Sequence, residues 1–314
     1  MPDSGMHRWA HPAVILVATD LNDLDRLLPL AIEQGTQTGA RIILLHVIAD
    51  ILAFSADGAG LPYYDPASAF ETAAKTLETS CAQARGEGVT CDGLVREGNP
   101  AQQILAAARQ FNADRVLLGT RGKSKLTRLV LGSVAEQVLR SVNLPVITVG
   151  PEAHRGVDGS TTEQVVLHAT TLSEASRPSA ALVCQVAALL HAKVVLLHVL
   201  PHIDEMERLG LPAGLESAAM QQLSAMAEEM SCSALKVEPR VVHGNPSIEI
   251  LAEAEQRHAK LIVLGATNRS AFENLTRDRT VYKVMAHARC PVMTLRECHT
   301  REEMQPLTRT VLHF

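Results

Sequence analysis

The chain has 314 residues, 46% of them hydrophobic but only 3% aromatic, and a formal net charge of −5. That length argues for two domains rather than one core, and the mild negative charge excludes the broad basic footprint of a nucleic-acid binder. Six cysteines (Cys81, Cys91, Cys184, Cys232, Cys290, Cys298) include no C-x-x-C pair, the pattern of small buried side chains or free thiols in a reducing compartment.

From the N-terminus, short apolar runs alternate with helical patterns: strand 13–19, helix 22–39, strand 41–48, helix 67–86, strand 89–96, helix 99–112, strand 114–119, helix 132–142 and strand 145–149. Strands of this length separated by helices imply right-handed βαβ crossovers and a parallel sheet covered on both faces. Between strand 41–48 and the next helix, Ala53–Pro66 reads as a long loop rich in Gly and Pro, suited to a lid or to a plain surface loop. The apolar run Val14–Ala18 is too short for a secretory signal, and Ala180–Leu200 reads as a helix end followed by a buried strand rather than a membrane span. A cytoplasmic location is expected.

The pattern is then written a second time. Gly98-Asn99-Pro100 recurs as Gly244-Asn245-Pro246, and Pro145-Val146 recurs at the same spacing as Pro291-Val292. Upstream, Val14–Asp20 answers to Val165–Thr171 and Ile42–Val47 to Val194–Val199. The boundaries read as 1–150 for the first domain, 151–163 for a polar linker, 164–296 for the second domain and 297–314 for a tail.

Chemistry concentrates after the fourth strand. Gly119-Thr120-Arg121-Gly122 is followed by Gly132-Ser133, where the next helix begins. A glycine-punctuated turn entering a helix offers backbone N–H groups and the positive end of a helix dipole to a phosphate chain. Arg121, Lys123, Lys125 and Arg128 lie between the glycines, as phosphate partners or as a solvated loop. Neither a Walker lysine motif nor a pyrophosphatase-type S-G-G-x-D-S loop occurs.

The stretch from Gly119 to Val149, with its glycine spacing, Leu126–Leu131, the Gly132-Ser133 helix start and the closing Pro145-Val146 strand, resembles the nucleotide-binding end of the universal stress protein family, in its ATP-binding branch. The resemblance covers nearly the whole chain. It implies two tandem doubly wound, Rossmann-like α/β domains of five parallel strands in the order 3-2-1-4-5. A ligand then lies where that order reverses, beyond the ends of strands one and four. It also implies an adenine nucleotide there: Asp20 accepting from a ribose hydroxyl, the Val47 backbone at the adenine edge, and Thr19, Gly119, Arg121, Gly122, Gly132, Ser133 and Val134 completing the contacts. Asp20 suits an N-cap of the first helix equally well. ATP is the expected ligand, and any accompanying Mg²⁺ would be held by the phosphates and water, since no dedicated metal ligands are evident.

The second copy departs at the chemical positions. Gly265 answers to Gly119, but Asn268 replaces Gly122, Asp278 replaces Gly132, Arg279 replaces Ser133 and Thr171 replaces Asp20. A carboxylate at 278 would repel phosphate, so one competent site in two domains is expected. His168, His198 and His243 lie on or at the ends of the second copy's first three strands and could meet as a metal site, although structural roles are the default. The leading reading is an ATP-binding stress-response regulator whose second domain packs or binds a partner protein that the residues do not name. A slow ATPase or autophosphorylating enzyme, and a nucleotide-free scaffold, are the alternatives. The resemblance further implies self-association through the last strands, 146–149 and 292–295, paired internally or in a homodimer.

Overall fold

The structure, a computed structural model, describes residues 8–49, 65–120, 131–153, 163–173, 177–210, 212, 214–231, 235–267 and 279–297. Loop 53–66 except its last two residues, Arg121 to Val130, most of the linker and the tail beyond Glu297 lie outside the described residues.

The first repeat comprises β1 (Val14–Thr19), α1 (Leu24–Thr38), β2 (Arg41–Ile48), α2 (Pro66–Gly86), β3 (Cys91–Glu97), α3 (Pro100–Gln110), β4 (Arg115–Gly119), α4 (Ser133–Ser141) and β5 (Val146–Val149). The second comprises β6 (Val165–Ala169), α5 (Arg177–Leu189), β7 (Lys193–Leu200), α6 (Ile203–Arg208), α7 (Leu215–Met230), β8 (Val237–His243), α8 (Pro246–Gln256), β9 (Leu261–Thr267), α9 (Arg279–His287) and β10 (Val292–Glu297). Both repeats are α/β and doubly wound. The strands run in the order β3-β2-β1-β4-β5 in the first and β8-β7-β6-β9-β10 in the second. Strand β1 pairs parallel with β2 on one side and with β4 on the other, and β6 does the same with β7 and β9.

Local chemistry explains the elements. Strands β1 and β4 are buried along almost their whole length, and β2 through Ile42–Leu45, as strands covered on both faces must be. Helix α1 turns Leu27, Leu28, Ala31, Ile32 and Gly35 inward, leaving its polar residues outside. The repeated Gly-Asn-Pro is a helix start: Asn99 accepts from Gln102 N at 3.1 Å and Asn245 from Ser247 N at 3.2 Å, with Pro at the first helical position of each. Pro66 is not the last loop residue but the first of α2, where Asp65 caps the helix by accepting from Ala67 N. The segment 180–200 is the rest of α5 followed by β7. No helix among the described residues is long and apolar enough to cross a membrane.

By contact density the chain divides into one unit of His11–Thr161 with Tyr282–Met293, and another of Met1–Ala10, Thr162–Val281 and Thr294–Phe314. The first unit thus includes a segment from the far end of the sequence. Within it Thr148 Oγ1 donates to Val292 O at 3.3 Å. A side chain at Gly150 would press on the carbonyl oxygens of Met285 and Ala288, at 3.3 and 3.4 Å from its Cβ, so glycine is what allows that close approach.

Candidate nucleotide site

Strand register brings the candidate residues of the first unit to one end of its sheet. Thr19, the last residue of β1, stands opposite His46 of β2, and the adjacent Ala18 stands opposite Leu118 of β4. Val47, Asp20 and Gly119 therefore follow one another across the carboxyl ends of three neighbouring strands, at the reversal of strand order. Gly119 pairs in turn with Val149 of β5. Helix α4 begins beside them: Gly132 is its N-cap residue, and Gly132 N donates to Thr120 O at 2.8 Å. Ser133 is the exposed first residue of that helix, Val134 is half-buried beside it, and the cap makes no side-chain hydrogen bond. Arg121 and Gly122 lie outside the described residues. So do Lys123, Lys125 and Arg128.

The turn after β1 is tightly organised. Asp20 Oδ1 accepts from Asn22 N at 2.9 Å, Thr19 Oγ1 accepts from Leu21 N at 2.9 Å, and Leu21 itself takes a left-handed φ of 73°. His46 Nδ1 lies 2.9 Å from Thr19 O, which fixes the ring against the strand end. Asp20 is not the N-cap of α1. Its side chain closes the turn instead, because Leu21 breaks the helical path and the helix starts only at Leu24, with Asp23 in the cap position.

Asp23 is the residue that sequence reading missed. Its carboxylate is 4% exposed, accepts from Thr19 Oγ1 at 2.5 Å through Oδ1, and lies through Oδ2 against Gly119. A Cβ at 119 would overlap that oxygen, so packing alone requires glycine there, whatever binds above it. Burial raises the carboxyl from 3.8 to about 6; the charge of Asp20 adds to this, while the Thr19 hydrogen bond and Arg26 oppose it. An aspartate next to a helix start reads as a routine cap, so only the fold reveals its burial. Thr120 was missed as well. It is 1% exposed, and its hydroxyl has no hydrogen-bond partner among the described residues.

The second unit repeats the scaffold of this turn. His198 Nδ1 lies 2.9 Å from Thr170 O, Leu172 N donates to Thr170 Oγ1, and Leu172 has a φ of 59°. Thr171 stands at the place of Asp20 and its hydroxyl meets Ser173 Oγ at 3.0 Å. Asn268 and Asp278 lie outside the described residues, and Arg279 opens α9. The three histidines do not converge. The Nδ1 atoms of His168, His198 and His243 face the separate carbonyls of Val263, Thr170 and Pro201, and no metal-holding group of three His, Cys, Asp or Glu exists among the described residues.

These are repeats of the doubly wound α/β class, with the candidate residues of the first gathered at its switch point. The chain belongs to the universal stress protein family, whose model matches residues 13–150 and again 157–296. It is similar to a universal stress protein of Mycolicibacterium smegmatis, 28% identical over 308 residues that span 90% of this chain and 96% of that protein. One repeat's length is similar to a universal stress protein of Thermus aquaticus, 31% identical over 142 residues, or 43% of this chain and 96% of that one. A crystal structure of a universal stress protein from Archaeoglobus fulgidus shares the fold over 91% of this chain and 99% of its own, with a TM-score of 0.69 at 22% identity.

Proposed function

We propose that this protein is an ATP-binding regulator of the stress-response type. It takes one adenine nucleotide in the crevice of its first repeat and uses the second repeat for packing or for a partner protein. The observation that carries this reading is the convergence of Asp20, Val47 and the start of α4 on the point where strand order reverses. Asp20 is partly exposed there and has acceptor capacity left for a ribose hydroxyl. The first-turn N–H groups of α4 face no cap side chain and suit a phosphate. Thr19, Gly119, Arg121, Gly122, Gly132, Ser133 and Val134 complete the proposed contacts, and Mg²⁺ would be held through phosphate oxygens and water. A cytoplasmic protein that self-associates through its last strands fits the same reading.

The test is stoichiometric. Purified protein is denatured and the released adenine nucleotide counted, then saturating Mg·ATP is titrated by calorimetry, with Gly132→Asp alongside. Gly132 has φ −62° and ψ 143°, backbone that any residue adopts, so the substitution introduces charge rather than strain. One nucleotide per chain, lost in the variant, is expected. Two per chain would overturn the degenerate second repeat, and none at saturation would overturn the reading itself.

A further inference from the structure

We propose that Cys81 and Cys91 are an oxidative modification site: a thiol pair that hydrogen peroxide converts to an intrachain disulfide and a small thiol reverses. Cys81 sits in the last turns of α2 and Cys91 opens β3, the edge strand of the first repeat. Their sulfurs are 3.0 Å apart, with the Cys91 S–H donating to Cys81 Sγ. Both thiols are free and buried. No other residue has to move between them for a bond to form.

The second repeat shows that packing does not demand sulfur here. The corresponding positions are Ala227 on α7 and Val237 on β8. Ala227 clusters with Leu196 and Leu223, and Val237 packs against that cluster. In the first repeat Leu77 and Cys81 flank Gly93 of β3 in the same way. Ordinary apolar side chains fill one copy of the site, whereas the other copy carries two adjoining thiols.

The surroundings favour attack by one sulfur. The hydrogen bond from Cys91 lowers the Cys81 thiol, burial opposing and the Arg85 guanidinium assisting, while the same hydrogen bond and burial raise Cys91. Arg85 is held over the pair, its Nε donating to Cys91 O at 3.0 Å and its Nη1 to Glu78 at 2.8 Å. Cys81 thiolate attacks one peroxide oxygen: an S–O bond forms, the O–O bond breaks, and the departing hydroxide takes the proton Cys81 released, leaving as water. Cys91 sulfur then attacks the sulfenic sulfur, so that S–S forms, S–O breaks and a second water leaves with the Cys91 proton. Two thiols and one peroxide become one disulfide and two waters. Access comes from the connecting turn, where Arg85, Gly86, Glu87, Gly88 and Thr90 are exposed at the sheet edge, so a local opening short of unfolding reaches the sulfurs.

The site is independent of nucleotide binding, and so is its test. Reduced full-length protein is treated with hydrogen peroxide, denatured, alkylated and digested with trypsin, which cuts after Lys75, Arg85 and Arg96. We expect peptides 76–85 and 86–96 to appear joined, alkylatable thiols to fall from six to four per chain, and dithiothreitol to restore them. Cys81→Ala and Cys91→Val, each installing the residue of the second repeat, should both abolish the link. Two alkylated peptides after peroxide, oxidation of Cys81 or Cys91 to sulfinic acid without a link, or a link through any other cysteine would overturn the proposal. Should either variant misfold, the peptide map of the natural chain decides alone.

Discussion

The carboxylate of Asp23 occupies the space that a side chain at Gly119 would need. The first glycine of the motif is therefore explained by the helix packed against its strand, and the case for a ligand rests on Gly132, Ser133 and the start of α4 instead. Asp23 cannot simply swing aside, because its other oxygen is held by the Thr19 hydroxyl in a buried setting.

That contact predicts coupling. Gly119→Ala should destabilise the protein by about 1–3 kcal/mol through overpacking, and Asp23→Ala should relieve most of that penalty. A double-mutant cycle in urea measures it. Additive effects would show that the two residues do not share the space.

Asp23 also predicts a pH dependence of a particular sign. Its folded-state pKa, about 6, lies above the value of 3.8 that it has when exposed. Between these the folded state holds the proton more tightly, so stability from this group is full below about 3.8 and declines as pH rises through 6. Asp23→Asn keeps the shape and an acceptor for Thr19. At a pH of about 7.5 it should raise stability by roughly 1–3 kcal/mol, with little effect near a pH of about 4. Denaturant melts across that range decide it.

His168 predicts the opposite slope. Fully buried, with Nδ1 facing Val263 O, it has a pKa lowered by burial from 6.5 to about 4. Its neutral form is the folded one, so stability falls as pH drops from 6.5 toward 4, where the unfolded chain takes up a proton first. The equivalent place in the first repeat is Val17, itself buried. His168→Val should flatten the acid limb of the stability profile. Should the acid limb persist unchanged in the variant, His168 is not its source.

For the proposed ligand, Asp20 is the sensitive position. A hydrogen bond to a charged acceptor contributes about 1.5–3 kcal/mol, so Asp20→Ala should weaken ATP by roughly ten- to hundredfold. Among the described residues the Asp20 carboxylate hydrogen-bonds to Asn22 N within an exposed turn, so folding should be nearly unaffected. Calorimetric titration beside a thermal melt separates the two effects.

Much of the fold was readable from residue order. The buried strands stand within a residue or two of their apolar runs, since Val14–Thr19 and Arg41–Ile48 have no other way to hide their side chains. The start of α1 was misplaced because Leu21 adopts a left-handed φ, which nothing in a leucine announces. Asp23 was hidden by its resemblance to a cap, and its burial depends on β4 arriving beside β1 from far along the chain. The thiol pair escaped for a related reason: its members lie on a helix and a strand, and only the turn between them brings the sulfurs together.

The packing of Tyr282–Met293 within the first unit bears on how this chain can be cut. A fragment that stops after β5 loses the backbone against which Gly150 is fitted and the carbonyl that receives the Thr148 hydroxyl. Gene-level shuffling of the first repeat should therefore carry Tyr282–Met293 with it, since that segment groups by its contacts with His11–Thr161.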